Sequence, residues 1–113
     1  MHELSIVMNI IDIATEQVQQ AHARKVDSIE LEIGTMAGVE MDALDFSWSA
    51  AVQNTVLSNA ERVVDRVPAI ARCGNCGLEF RVPEPFMPCP TCDNVLVEYL
   101  QGKELRVKSL VVS

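Results

Sequence analysis

Apolar residues near the start of the chain recur at intervals of three and four. This spacing places them along one face of an α-helix, with polar residues on the remaining faces. The pattern predicts an amphipathic helix that begins at Leu4 and ends near Ala21. Its apolar stripe consists of Leu4, Val7, Ile11, Ala14 and Val18, and Met8 and Ile10 widen it.

The period changes to two residues between Val26 and Ile33. Here Ile29, Leu31 and Ile33 alternate with polar neighbours. Alternation of this kind is typical of a strand with one buried face. The sequence therefore predicts a strand over 26–33, which Gly34 ends.

A second helix is predicted after the loop that contains Gly38. Asp42 can accept a hydrogen bond from a main-chain N–H two or three residues further on, as an N-cap residue does. Leu44 and Trp48 lie four residues apart and fall on one face of this helix. We expect the helix to run from Asp42 to about Thr55 and to bury that face.

Three later segments, 61–67, 95–100 and 105–112, are rich in valine or leucine and predict strands. The order of elements is then helix, strand, helix, strand, cysteine-rich insert and strand. The simplest packing of this order is an α+β fold, with two helices on a small three-stranded mixed sheet and an inserted four-cysteine zinc-ribbon module. The last strand is expected to complete the sheet that begins near the N-terminus.

This arrangement predicts two domains. Residues 1–70 and 101–113 would form one α/β domain. Residues 71–100 would form a zinc-binding domain that depends on the metal, because so short a segment cannot build a sufficient core of its own.

The cysteines of the chain fall into two C-x-x-C pairs that twelve residues separate. Each pair can direct two thiolates at one ion, and two facing pairs supply the four sulfurs that tetrahedral zinc accepts. Because cysteine fills every ligand position, the ion keeps no place for water or substrate, and we expect structural Zn(II). The predicted zinc ligands are Cys73, Cys76, Cys89 and Cys92.

Two disulfides are the alternative interpretation of this cysteine pattern. The N-terminus has no basic region that leads into an apolar run, so we expect a cytoplasmic protein whose thiols stay reduced. A thioredoxin-like redox pair is disfavoured because such a motif stands alone. Zinc is therefore the favoured interpretation.

The charge of the chain bears on its partners. The formal net charge is −7, whereas binding to phosphates requires clustered Lys and Arg. No apolar run approaches the roughly 20 residues that cross a bilayer. We expect a soluble protein that binds neither nucleic acid nor a membrane.

The first three residues offer a second metal site. A histidine at position 2 is ordinarily a solvated terminal residue. The Met1 amine, the His2 main-chain nitrogen and the His2 ring nitrogen can, however, close two chelate rings in one plane, and Glu3 can fill the fourth corner. Square-planar nitrogen sets suit Ni(II) or Cu(II), and ligand chemistry alone does not choose between them.

Together these motifs resemble the HypA family of nickel metallochaperones. The resemblance spans the whole chain, and neither the cysteine spacing nor the N-terminal tripeptide would be specific alone. It is carried by Met-His-Glu at 1–3 before the helix, Leu-Glu-Ile-Gly at 31–34, C-x2-C-x12-C-x2-C at 73–92 and Val-Lys-Ser-Leu at 107–110.

The resemblance implies a maturation factor that is not itself an enzyme. It implies that Met1, His2 and Glu3 bind Ni(II), and that the chain delivers this ion to the large-subunit precursor of nickel–iron hydrogenase together with a maturation GTPase. In some organisms urease would be served too. Members of the family also recruit an acidic side chain just after the first strand, and Glu40 is its counterpart here; a solvated loop carboxylate is the competing interpretation.

The main alternative is a zinc-ribbon module for protein or nucleic-acid interaction, without metal delivery. In that case His2 would be inert, and blocking the Met1 amine would change nothing. A catalytic zinc hydrolase is a third possibility, and the closed four-cysteine set disfavours it.

Overall fold

The computed structural model describes residues 2–113, which form two helices and six strands. Within this part of the chain, neither helix is both long and apolar enough to span a membrane. In chain order the elements are α1 (Glu3–Gln20), β1 (Val26–Gly34), α2 (Met41–Ala51), β2 (Glu61–Val67), β3 (Ile70–Cys73), β4 (Glu79–Arg81), β5 (Val97–Gln101) and β6 (Leu105–Val112).

Helix α1 has the amphipathic character that its sequence predicts, but its buried face is narrower at the start. Leu4 and Met8 are 52% and 48% exposed, so of these early apolar positions Val7 is buried and its two neighbours are not. Packing of an apolar face stabilises a helix of this length more than intrinsic propensity does. The buried residues of α1 are Val7, Ile10, Ile11, Ala14 and Val18.

Helix α2 begins at a different cap from the one predicted. Glu40 is the N-cap residue, and its carboxylate accepts a hydrogen bond of 3.0 Å from the Asp42 N–H. The assignment of the cap to Asp42 is therefore wrong; Asp42 lies in the first turn, where its charge complements the helix dipole. Leu44 and Trp48 are buried as predicted. The helix ends earlier than expected because a series of turns begins there.

Strand β1 is the central strand of a sheet in the order β2-β1-β6. The Val26 N–H donates to the carbonyl of Val56, shortly before β2, and the Thr35 N–H donates to the carbonyl of Val67, at the end of β2. Both strands therefore advance in the same direction. The β1–β2 pair is parallel.

The β1–β6 pair runs the other way. Lys25 and Ser113 exchange main-chain hydrogen bonds beside the start of β1, whereas Gly34, at its end, donates to Glu104. The sheet is therefore mixed, and the last strand completes it. This confirms the predicted α+β class with two helices and a three-stranded mixed sheet.

The chain divides into two compact units. Unit 1 contains the chain up to Leu31, together with Val39–Asp65 and Arg106–Ser113, and unit 2 contains Glu32–Gly38 and Arg66–Leu105. The division into an α/β domain of residues 1–70 plus 101–113, expected to bind nickel through its first residues, and a zinc-binding domain of residues 71–100 stays a prediction. Besides the α1 face, the buried side chains of unit 1 include Val26, Ile29, Leu31, Leu44, Trp48, Val52 and Leu57.

Unit 2 contains a second, antiparallel sheet in the order β4-β3-β5. The valine- and leucine-rich segment 95–100 predicted β5, but β3 and β4 were not expected, because strands of four and three residues are too short to show a period. The apolar cluster of this unit is small. It consists of Ala69, Ala71 and Val82, with Met36, Phe80, Met87, Val97 and Tyr99 packed against it.

Two glycines of unit 2 permit a close approach of main chains. Gly102 has a φ of +111°, and its carbonyl accepts a hydrogen bond of 2.7 Å from Met36. A Cβ on Gly34 would lie 2.0 Å from the Gly102 carbonyl oxygen, and a Cβ on Gly102 would lie 2.4 Å from the Ala69 Cα. Only residues without a side chain fit at these two positions.

Candidate metal centres

The four predicted zinc ligands converge in unit 2. Their sulfur atoms all lie within 4.8 Å of one another. The Cys73 and Cys92 sulfurs are 3.5 Å apart, and those of Cys76 and Cys89 are 3.6 Å apart. Four sulfurs at about 2.3 Å from one zinc ion would be separated by ~3.8 Å in a tetrahedron. The donor set and its spacing therefore fit tetrahedral zinc.

The local main chain also directs N–H groups at the first sulfur. We call residues 73–76 the first knuckle and residues 89–92 the second knuckle. The N–H groups of Asn75 and Cys76 donate to Cys73 Sγ at 3.3 and 3.4 Å. Gly77 closes the first knuckle with a φ of +74°, a conformation that glycine adopts without strain. Main-chain donors of this kind favour the thiolate over the thiol.

The sulfurs differ in their acid–base character. The main-chain N–H of Cys76, with smaller help from that of Asn75, lowers the pKa of Cys73 to about 6. At Cys76 a hydrogen bond from the Leu78 main chain also lowers the pKa. The neighbouring Cys89 thiol and burial outweigh it, however, and raise the pKa of Cys76 to about 11. Thiolates this close repel one another. A dication is the means by which all of them can be deprotonated together.

The N-terminal candidate ligands lie at the start of α1. His2 is exposed, occupies the N-cap position, and makes no side-chain capping hydrogen bond within the described residues. Its ring is thus not committed to stabilising the helix end. Glu3 opens the helix itself. Met1, the third predicted nickel ligand, lies outside the described residues.

Glu3 and Glu40 come together. The Glu40 main-chain N–H donates to Glu3 Oε2 at 3.2 Å. This hydrogen bond is the main reason that the pKa of Glu3 lies below its ordinary value, and the main-chain N–H of Glu3 contributes as well. The Glu40 carboxylate is itself fixed by its hydrogen bond to Asp42. The Glu3 carboxylate, oriented and ionised next to His2 in the chain, can bind a cation.

Within residues 2–113, the four cysteines are the one group of three or more His, Cys, Asp or Glu side chains whose ligand atoms are gathered for an ion. The side chains of His2, Glu3 and Glu40 do not form such a group. The predicted nickel set relies on main-chain nitrogens and on the Met1 amine, so side chains alone would not complete it. The assignment of nickel to Met1, His2 and Glu3 stays a prediction.

Sequence reasoning missed two side chains at the cysteine centre. Asn75 and Asn94 place carboxamide nitrogens 3.8 and 3.7 Å from sulfurs of Cys92 and Cys73. Asparagine in a loop is ordinarily a turn residue, so the sequence carried no separate signal for this contact. Of the two phenylalanines near the cysteines, Phe80 packs against the apolar cluster of unit 2, whereas Phe86 is 95% exposed.

The fold and the cysteine centre define a small α+β protein with an inserted four-cysteine metal module. A profile of the family described as "Hydrogenase/urease nickel incorporation, metallochaperone, hypA" matches residues 1–112. Proteins named "Hydrogenase maturation factor HypA" from Geotalea daltonii and Chlorobaculum parvum are 42% and 39% identical over 112 residues, covering 99% of this chain and 99% of each relative.

The fold has a solved counterpart. The solution structure of the Ni metallochaperone HypA from Helicobacter pylori matches with a TM-score of 0.70 at 22% identity, covering 99% of this chain and 97% of that chain. At this identity the likeness concerns the fold. With the profile and the curated relatives, the conclusion is plain: the chain belongs to the HypA family of hydrogenase maturation factors, as the sequence motifs predicted.

Proposed function

We propose that this chain binds Ni(II) at its N-terminus and delivers it to the large-subunit precursor of nickel–iron hydrogenase. A maturation GTPase takes part in the transfer, and urease is a second acceptor in organisms that contain it. Family membership supports this function over that of a zinc-ribbon module that only binds protein or nucleic acid. Transfer takes place in the cytoplasm, and the chain catalyses no reaction of its own.

The observation that carries the nickel assignment is the state of His2 and Glu3. The His2 ring is exposed and has no capping role among the described residues, while a main-chain N–H holds the Glu3 carboxylate in its ionised form. The Met1 amine, the His2 main-chain and ring nitrogens, and an oxygen or nitrogen of Glu3 supply the square-planar set that Ni(II) prefers. Glu40, whose main-chain N–H donates to Glu3, is proposed to assist through its carboxylate.

A carrier must release its ion as well as bind it. An exposed site on the first residues of a helix lets an acceptor's own ligands approach the nickel from the open side. The closed four-cysteine set offers no such opening. We therefore assign delivery to the N-terminal nickel and a structural role to zinc held by Cys73, Cys76, Cys89 and Cys92.

Calorimetric titration with nickel tests the assignment. The protein is untagged, zinc-loaded and has a free Met1 amine. We expect one nickel per chain, and we expect both His2→Ala and acetylation of the amine to abolish this binding. His22→Ala is the matched control, because it removes the other histidine of the chain and should leave binding intact.

The role of Glu40 is tested in the same titration. Glu40→Gln keeps the size of the side chain and its capping oxygen but removes the charge, so weaker nickel binding is expected if the carboxylate assists. Nickel binding that survives His2→Ala would overturn the N-terminal assignment. A parent protein that binds no nickel would overturn the delivery function.

A further inference from the structure

The two knuckles are joined by side chains as well as by the ion. Asn94 follows the second knuckle, yet its Nδ2 lies 3.7 Å from Cys73 Sγ in the first. Asn75 lies within the first knuckle, and its Nδ2 is 3.8 Å from Cys92 Sγ in the second. A carboxamide N–H from the first knuckle is thus directed at a sulfur of the second, and one from the residues just after the second knuckle is directed at a sulfur of the first.

The Asn94 side chain is held in place from several sides. Its Oδ1 accepts from the Leu96 N–H at 3.2 Å, its Nδ2 also approaches the Leu96 carbonyl at 3.4 Å, and its main-chain carbonyl accepts from Cys89 at 2.9 Å. The Leu96 carbonyl in turn accepts from the Gly74 N–H at 3.0 Å. A side chain fixed in this way loses little further freedom when its N–H meets a thiolate.

These contacts make the four sulfurs unequal. Cys73 Sγ receives two main-chain N–H groups and the Asn94 carboxamide, and Cys92 Sγ receives the Asn75 carboxamide. Both side-chain amides therefore serve the same close pair of sulfurs. Four thiolates around Zn²⁺ carry a net charge of about −2, and hydrogen bonds from outer residues disperse such charge and orient the ligands.

We infer that Asn75 and Asn94 are positioning residues for zinc, and that their reciprocal carboxamide-to-sulfur hydrogen bonds slow the loss of the ion. The inference rests on the proposed zinc at the four cysteines and deepens it. Asn94 is the stronger of the two because its side chain is part-buried and fixed, whereas Asn75 is exposed. Loss of outer-shell partners typically costs about 10–100-fold in metal affinity.

The test compares Asn94→Asp, Asn94→Ala and Asn75→Ala with the parent protein, and Thr91→Ala is the control because Thr91 is an exposed residue of the second knuckle. Asn94→Asp keeps the oxygen that accepts from Leu96 but replaces the N–H donor with a carboxylate oxygen. It therefore separates support of the turn from support of the sulfur. Zinc transfer to a coloured chelator is timed, and zinc per chain is measured beforehand.

We expect zinc transfer to be about tenfold faster in Asn94→Asp, with a smaller increase in Asn75→Ala and no change in Thr91→Ala. The cobalt-substituted proteins supply an independent readout. Loss of an N–H donor raises the energy of the sulfur lone pairs, so the sulfur-to-cobalt charge-transfer band should move to longer wavelength in Asn94→Asp and Asn75→Ala only.

Two outcomes would overturn the inference, and they differ from failure of the proposed function. If the parent holds one zinc per chain but Asn94→Asp releases it at the parental rate with an unshifted cobalt band, the carboxamide contributes only to the turn. If zinc transfer is faster in Asn94→Ala but not in Asn94→Asp, the carboxamide again contributes only to the turn. If the parent holds no zinc at the four cysteines, the structural zinc assignment fails and the inference fails with it.

Discussion

Unit 1 and unit 2 reach a compact fold by different means. Unit 1 buries a set of large apolar side chains from both helices and β1, of which Val7, Ile29 and Leu44 are fully enclosed. The buried cluster of unit 2 consists of two alanines and one valine. Its other buried apolar side chains are Ile33, near the end of β1, and Cys73 and Cys89, two of the four predicted zinc ligands.

The difference indicates where each unit obtains its stability. Burial of a large aliphatic side chain contributes about 1.5–3 kcal/mol, so the helices and β1 can support unit 1 unaided. The small apolar cluster of unit 2 contributes little stabilisation of this kind. If zinc binds the four cysteines as proposed, its binding of roughly 10–16 kcal/mol, as in structural zinc sites, would be the dominant contribution to the stability of unit 2. Selective perturbation of each unit tests this contrast.

The largest effect is expected from removing one zinc ligand. Cys89→Ser replaces a buried predicted zinc ligand, so zinc should be lost and unit 2 should unfold while unit 1 stays folded. The chain has one tryptophan, Trp48 in unit 1, and one tyrosine, Tyr99 in unit 2. Trp48 fluorescence should be unchanged, whereas the amide NMR signals around Tyr99 should collapse. A native-like unit 2 without metal would contradict the contrast.

A core truncation in unit 1 should have the next largest effect. Leu44 is fully buried, and truncation of such a residue to alanine costs about 2–5 kcal/mol. In Leu44→Ala we expect a reduction of this size in the free energy of unfolding, measured by urea denaturation and Trp48 fluorescence. Zinc content should stay at the parental value. Loss of zinc in this variant would show that the two contributions are not separable.

A surface ion pair of unit 1 should matter less. Arg62 pairs with Asp45 and lies 5.2 Å from the centre of the Trp48 ring, but within the described residues its buried Nη1 has no hydrogen-bond partner. Arg62→Met loses the pair and relieves the unsatisfied nitrogen, so the two effects offset one another. We expect a change below about 1 kcal/mol in the same urea assay. A loss as large as that of Leu44→Ala would refute this estimate.

The smallest effect concerns the pH dependence of Glu3. Its pKa is lowered in the folded chain, mainly by the Glu40 N–H. The contribution of this hydrogen bond is therefore complete above the ordinary pKa of 4.5 and is lost as the pH falls through the lowered, folded-state pKa. NMR titration should show the Glu3 carboxyl carbon and the Glu40 amide titrating together below pH 4.5.

The matched variants for this titration are Glu3→Gln and Glu16→Gln. Glu3→Gln should remove the acid-range shift of the Glu40 amide. Glu16→Gln changes an exposed glutamate on the same helix and should retain that shift. A Glu40 amide that still titrates without Glu3 would assign the shift to another group.

Elements with a long, regular pattern could be predicted from the sequence. The α1 stripe, the β1 alternation and the valine-rich β6 were located to within a few residues, because periodic burial is recorded in the residues themselves. Strands β3 and β4 could not be predicted in this way. They are held by pairing within unit 2 and by the knuckles rather than by a period of their own.

The candidate sites were predictable to different degrees. The spacing of the four cysteines was sufficient to predict that their sulfurs converge, because one ion imposes a fixed geometry on any C-x-x-C pair. The contact of Glu3 with the Glu40 main chain joins residues 37 positions apart, and no local pattern records it. The Asn75 and Asn94 contacts were missed for the same reason, since a turn residue and a hydrogen-bond donor to sulfur look alike in a sequence.

The close approach of Gly34 and Gly102 has an evolutionary consequence. The atoms that a new Cβ would strike at these positions are mainly main-chain atoms, including the Gly102 carbonyl oxygen and the Ala69 Cα. Protein cores usually drift through paired substitutions, in which one side chain shrinks as its neighbour grows. That route is closed here, because loss of a neighbouring side chain, such as the Ala69 Cβ, would leave the clash with main-chain atoms in place. Relatives that keep this backbone are expected to keep both glycines, however far their remaining residues diverge.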